Sequence, residues 1–334
     1  MTILSVCIPT YNRDYLLSEC LSILIPQVKF LSDVEVLIVD NCSTDKTAEI
    51  IKNYQASHDQ LRNIRLNNNT GYAGSQNTCI MEAKGKYIAI LCDDDIFLDG
   101  HIKRILTKIK NKNFSFLAQN YYNFYNNYKF PNCEYFAPKH DVIFQRGYDI
   151  MNYPSVGHIS GFIFNRSLAK VELQSMLSKG LANFEKHRGI VGILAIRLTA
   201  KSSLPTMFIG ERGLAVRIPD TIDYDLLGHL CLDYIETWFD AKKEGLINND
   251  DYSYRLDLVE KYLWKAIFKD SRNYTTSQII SFEKRLSNYF AEDNRQIRFE
   301  KLLLILGRFC MMRTLFFLIY KFLQRVRRRV NINM

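Results

Sequence analysis

The sequence predicts an α/β fold, a doubly wound and mostly parallel sheet followed by a helical C-terminal region. Two features of the first hundred residues predict it. Apolar runs rich in β-branched residues alternate with helix-patterned segments, and the runs are apolar at successive positions, as strands buried on both faces require. Three of the runs also stop in polar clusters, Thr10-Tyr11-Asn12-Arg13, Asp40-Asn41 and Asp93-Asp94-Asp95. Ligands of open parallel sheets bind beyond the carboxyl ends of the strands, so polar clusters sharing one rim mark a candidate site.

The elements follow in order. "ILSVCI" is a strand stopped by Pro9. In "RDYLLSECLSILI", Tyr15, Leu16, Cys20 and Leu24 fall near one helical face. "VEVLIVD" is a second buried strand, and "STDKTAEIIKNY" opens with helix-starting residues. "NIRLNNN" reads as a third strand, "SQNTCIMEAKG" as a helix ending at Gly85, and "KYIAILC" as a fourth strand. Residues 114–136 hold ten aromatics in 23 positions. Aromatic faces suit sugar C–H groups, but such a run also fits strands packed on a core. "ISGFIFNRSLAKVELQSML" is strand, turn and helix, and residues 221–300 are helical in pattern.

Composition narrows the function classes. Eight cysteines are scattered without a CxxC pair or a Cys/His cluster of zinc spacing, and the N-terminus lacks a basic, apolar leader pattern. Both point to a reducing, cytoplasmic compartment. The net charge of +9 lies wholly in residues 295–334, which carry ten Lys/Arg against Glu300 alone. A nucleic-acid reader carries its charge on the folded body, so the neutral remainder argues against that class. No GxGxxG follows the first strand, which argues against a dinucleotide-dependent oxidoreductase.

Three adjacent carboxylates at Asp93, Asp94 and Asp95 repel one another and are costly to bury unpaired, so the motif calls for a cation. "SVCIPTYNR", "ILIPQ", "EVLIVDNCSTDKT", "NNTGYAGSQN" and "AKGKYIAILCDDDIF" occur in an order and spacing that resembles the GT-A-fold glycosyltransferases of family two. The resemblance covers residues 3–110 closely and 155–215 loosely. It implies a Rossmann-like GT-A domain over 1–220, with a nucleotide-sugar half at 1–110 and an acceptor half at 111–220. Pro9, Thr10, Tyr11, Arg13, Asp40, Asn41, Gly71, Asn77, Asp93 and Asp95 would bind the donor, with Gly71 and Gly74 letting backbone approach it. Asp94, with Asp95, would hold Mn²⁺ or Mg²⁺. Cys92 stands where the family's first motif aspartate is usual.

The family's usual acidic pair downstream of the metal motif is missing here. Glu185 and His187 in "NFEKHRG" are the candidates for the catalytic base, with His158 a further one. An Asn at position 41 could donate to cytosine N3 and accept from N4, although it could also pair with uracil. The resemblance extends to bacterial O-antigen enzymes, with the abequosyltransferases and a CDP-abequose donor as the candidate subfamily. UDP- or dTDP-sugar transfer to another surface polysaccharide is the alternative. A catalytically silent nucleotide-sugar-binding subunit is the alternative from another class.

The tail over 301–334 is apolar but interrupted by Arg308, Arg313 and Lys321, so it holds no run fit to span a bilayer. As a helix, Arg313, Lys321, Gln324, Arg325 and Arg328 share a face about 120° wide, and Leu315, Ile319, Phe322 and Leu323 lie on the other side. This predicts an amphipathic segment over 308–329 on an anionic membrane surface. The expectation is a peripheral enzyme of the inner face of the cell membrane, with an undecaprenyl-diphosphate-linked glycan as acceptor.

Overall fold

The structure, a computed structural model, describes residues 2–134, 138–152, 156, 158–181, 190–218, 232–270 and 274–289, with 303, 305, 306, 308, 312 and 314–319. The chain forms two compact units, Met1–Ile222 and Asp223–Met334.

The first unit opens with the predicted alternation: β1 (Leu4–Thr10), α1 (Asp14–Val28), β2 (Val34–Asp40), α2 (Thr47–Gln55), β3 (Leu61–Arg65), α3 (Gly71–Glu82) and β4 (Tyr87–Ile90). Every residue of β1, β2 and β4 is buried, as helices on both faces require. These strands pair in parallel in the order β3-β2-β1-β4. Pro9 does not end the first strand; β1 runs one residue further and pairs Thr10 with Asp40. That register brings the ends of β1 and β2 level. The Leu91 N–H bonds Cys7 O, which carries β4 toward the same rim.

The second half adds β5 (Ile96–Phe97), α4 (His101–Lys110), β6 (Phe116–Phe124), β7 (Cys133–Glu134), β8 (Val142–Phe144), β9 (Phe162–Asn165), α5 (Arg166–Ser178), α6 (Ile190–Lys201) and β10 (Thr206–Arg217). The sheet continues past β4 as β9-β6-β10-β5, with β9 and β5 antiparallel to their neighbours. Asn165 caps α5 by accepting from the Leu168 N–H at 3.4 Å.

Two further expectations are corrected, and one open alternative is narrowed. The buried face of α1 is Leu17, Cys20, Leu21, Leu24, Ile25 and Val28, while Tyr15 is 75% exposed. One position of rotation moves Tyr15 off the core. Helix α3 starts at Gly71, ahead of the apolar run that suggested it. Of the aromatic segment, Phe116, Tyr121, Tyr122 and Phe124 are core residues, whereas Tyr125 and Phe130 are exposed.

The second unit holds α7 (Asp233–Lys243), α8 (Asn249–Asp270) and α9 (Thr276–Tyr289). Its core includes Leu263, Ile267, Ile279, Leu286, Leu303 and Phe316. Arg285 ties the start of α7 through Asp233 and Glu236. Leu315, Leu318 and Ile319 are exposed beside buried Phe316. Among the described residues no helix is long and apolar enough to cross a membrane.

Candidate active site

The rim formed by β1, β2, β4 and the start of α3 collects the predicted clusters. Thr10 Oγ1, at the end of β1, donates to Asp93 Oδ2 at 2.7 Å. Arg13 reaches the same loop, donating to Asp93 Oδ1 at 3.0 Å and Asp94 Oδ2 at 3.1 Å. Burial opposes the Arg13 charge, but Asp93 and Asp94 outweigh it and hold the guanidinium above its ordinary range. Two residues just past the strand ends, Asn12 and Cys42, have positive φ angles of 51° and 67°. Such backbone is costly for a residue with a side chain and is often found at sites. Asn12 offsets the cost by accepting from the Thr44 N–H at 2.7 Å.

At the end of β2 the side chains turn inward. Asp40 is fully buried, with Oδ1 accepting from the Ser43 N–H at 2.8 Å and Oδ2 from Arg65 at 2.7 Å. Asn41 donates to Asn69 Oδ1 and Gly71 O, and accepts from the Thr70 N–H and Thr70 Oγ1. An amide has two donor hydrogens and two acceptor lone pairs, so Asn41 is saturated. Asn41, expected to bind the donor, holds the loop leading into α3 through these bonds. Gly74 serves the same loop, because a Cβ there would lie 2.4 Å from Thr70 Oγ1. Gly71, at φ 72°, makes the turn into the helix.

The acidic triplet divides into three environments. The side chain of Asp93 is 4% exposed, that of Asp95 1% and that of Asp94 20%. Burial raises the Asp93 carboxyl against the lowering effect of Arg13. Asp95 Oδ2 accepts from Ser160 Oγ and pairs with His158 Nε2, both at 2.6 Å, and its Oδ1 accepts from the Arg217 N–H at 2.9 Å. Burial works against the His158 charge, but Asp95 beside it holds the ring protonated above its usual range. The Asp94 carboxylate is the least engaged, accepting from Arg13 alone among the described residues. Burial, then Asp95 and Asp93, push its carboxyl from 3.8 up to about 7. Part of the cation demand is therefore met by the chain itself, through Arg13 and His158.

A divalent ion fits what remains. Asp94 is accessible, under-coordinated and penalised for its charge, and a hard oxygen ligand of that kind suits Mg²⁺ or Mn²⁺. Asp95 could join it only by releasing some of its three donors. Asn77 Oδ1, on α3, is buried without a hydrogen-bond partner among the described residues. Tyr11 is 41% exposed at the rim. Pro9 is buried within β1 opposite Val39, where it shapes the strand. Glu185 and His187 lie outside the described residues.

Two site residues have no signal in the local sequence. Arg217, at the end of β10, donates from Nε to Asp94 O at 3.2 Å, from Nη1 to Tyr125 O at 3.1 Å and from Nη2 to Glu19 at 2.5 Å. It thereby ties the acidic loop to α1 and β6. Ser160 accepts from the Cys92 N–H at 2.8 Å and donates to Asp95. Both come from far along the chain, so only the folded sheet brings them to the loop.

A parallel α/β half with an acidic loop beyond β4, joined to a mixed second half, defines the GT-A class of glycosyltransferases. Residues 5–170 match the family model "Glycosyl transferase family 2", so that stretch is similar to the family-two glycosyltransferases. Glycosyltransferase GlyG of Streptococcus pneumoniae is 31% identical over 122 residues, which are 36% of this chain and 40% of GlyG. The GalNAc(5)-diNAcBac-PP-undecaprenol beta-1,3-glucosyltransferase of Campylobacter jejuni is 30% identical over 106 residues, 31% of this chain and 34% of that enzyme. The similarity thus spans well under half of these relatives. The crystal structure of S. aureus TarS 1–349 superposes with a TM-score of 0.66, covering 92% of this chain and 89% of TarS, at 14% identity. At that identity the likeness bears on the fold.

Proposed function

We propose that the protein transfers a sugar from a nucleoside-diphosphate donor to a hydroxyl group of a lipid-linked surface glycan, with a divalent ion at Asp94. The observation that carries this reading is the convergence of Thr10, Arg13 and the Asp93–Asp95 loop on one strand-end rim, with Asp94 left available. When bound, the ion would neutralise the diphosphate and the charge that develops on the leaving nucleotide. Thr10 and Arg13 hold Asp93 in place, Arg217 holds the Asp94 backbone, and Tyr11 and Asn77 address the nucleotide. The acceptor proton passes to Glu185, or to His187 in its place. The acceptor class is supported by the Campylobacter relative, whose name specifies a diphosphoundecaprenol-linked glycan.

A uridine donor is the first reading, because a TarS structure of the same fold holds UDP-GlcNAc. A cytidine donor such as CDP-abequose comes second, since Asn41 would have to leave four internal hydrogen bonds to pair with cytosine. We further propose that the C-terminal segment rests on an anionic membrane at the cytoplasmic face. Exposed Leu315, Leu318 and Ile319 support an apolar contact there. Arg308, where the segment begins, pairs with Glu283. The reaction is tested by incubating the protein and Mn²⁺ with UDP-, dTDP- and CDP-sugars and a diphosphoundecaprenol-linked acceptor, following release of nucleoside diphosphate. Donor binding without turnover for every pair would leave a binding subunit and defeat the enzyme reading.

A further inference from the structure

Cys92, Asp95 and His158 form a second group of ligands beside Asp94. One donor atom from each lies within 4.8 Å of the other two. They come from two segments, the loop after β4 and the turn before β9. Three features hold the group together. The Asp95 N–H bonds Cys92 O at 3.1 Å, closing the loop around both side chains. Ser160 braces the segments by accepting from the Cys92 N–H and donating to Asp95. The Arg217 N–H fixes the other Asp95 oxygen, and the Tyr121 ring lies 5.6 Å from the His158 ring. Partners of this kind orient ligands in metal sites. Cys92 and His158 are only partly buried, so an ion there would keep access to water or an anion.

We propose that Cys92 Sγ, an Asp95 oxygen and a His158 nitrogen form a transition-metal site of the zinc or cobalt type. The donor set decides the class of ion. Mg²⁺ takes oxygen ligands and keeps its waters, whereas one sulfur, one nitrogen and one oxygen suit Zn²⁺ and Co²⁺. Metal–ligand bonds of about 2.0–2.3 Å draw ligand atoms closer than the present spread, so the ion pair between Asp95 and His158 opens to admit it. Three protein ligands with an exchangeable position is the pattern of a site that binds a further group. The site does not use Asp94; it shares only Asp95 with the residues assigned to the donor and its ion, and it needs no transfer reaction to be present.

The test is Co²⁺ titration of the full chain after stripping with a chelator, read by absorption. A tetrahedral ligand-field spectrum with a sulfur-to-cobalt charge-transfer band at one equivalent is expected, with Zn²⁺ displacing the ion and millimolar Mg²⁺ failing to. Cys92→Ser should lose the charge-transfer band, whereas Cys42→Ser should keep it. Ser160→Ala should keep the band but weaken binding about 10–100-fold. Asp94→Asn should keep the cobalt spectrum while losing Mn²⁺-dependent nucleotide binding, which separates this site from the donor reading. Wild-type protein without the band, or a band that survives in folded Cys92→Ser, overturns the proposal. The wild-type result decides the matter even where a variant fails to fold.

Discussion

Replacing Asp94 by asparagine removes a charge that the fold penalises. Burial beside Asp95 and Asp93 pushes this carboxyl from 3.8 to about 7. A carboxyl raised in the folded state binds its proton more tightly there than in the unfolded chain. Its stabilising contribution is complete below 3.8 and is lost as pH rises through about 7. Those two values imply that about 2–3 kcal/mol of stability attached to Asp94 disappears between pH 5 and pH 8. Asparagine escapes that loss and still offers Arg13 an oxygen, so the weakened ion pair costs at most about 1 kcal/mol. At about 2–4 °C per kcal/mol for a unit of this size, the variant-minus-wild-type difference in Tm should be about 5–10 °C larger at pH 8 than at pH 5. The assay is thermal unfolding of both proteins in EDTA at the two pH values. Mn²⁺ should stabilise wild type at pH 8 and narrow the gap. A difference that is the same at both pH values would refute the reasoning.

The other predictions concern the base, the rim and the tail. Glu185→Gln should lower turnover roughly 10²–10⁴-fold with donor affinity little changed; loss in His187→Ala alone would move the role to His187. Thr10→Val takes a donor from buried Asp93 and should cost about 1–3 kcal/mol in urea unfolding, with weaker nucleotide binding; an unchanged midpoint would count against the Thr10–Asp93 bond. Deleting residues 320–334 removes Lys321, Arg325, Arg327, Arg328 and Arg329 while sparing Phe316, which packs in the core of the second unit. The deletion should weaken vesicle cosedimentation by up to about 1 kcal/mol per basic residue at low salt and less at high salt. Equal binding with and without the segment would remove it from the membrane contact.

What was legible in the sequence was the part encoded locally. Strands buried on both faces announce themselves as unbroken apolar runs, and where the run stops the chain has left the core. That is why Thr10, Asp40 and Asp93 could be assigned to one rim before any pairing was known. What each rim residue does there was not legible. Asp40 and Asn41 look like ligand-facing groups, but Arg65, Asn69 and Thr70 claim them. Those partners lie about one βα unit downstream, beyond any local pattern. The aromatic run at 114–136 left sugar contacts and core strands open as alternatives, because Tyr and Phe serve a core strand as well as a binding face. Asn41 shows the hazard of reading base specificity from residue type, since an amide that could address cytosine serves equally to pin a loop.

The central claim is that this rim binds a nucleoside diphosphate through an ion at Asp94. It is tested most directly by the thermal shift of the full chain with UDP, in the presence of Mn²⁺ or of EDTA, for wild type and Asp94→Asn. At a hundredfold excess over its dissociation constant, UDP should stabilise wild type with Mn²⁺ by about 2.7 kcal/mol. The shift should largely vanish in EDTA and in the variant, and UMP, lacking the second phosphate, should give much less. Equal stabilisation by UDP in wild type and variant, with or without Mn²⁺, would contradict the account.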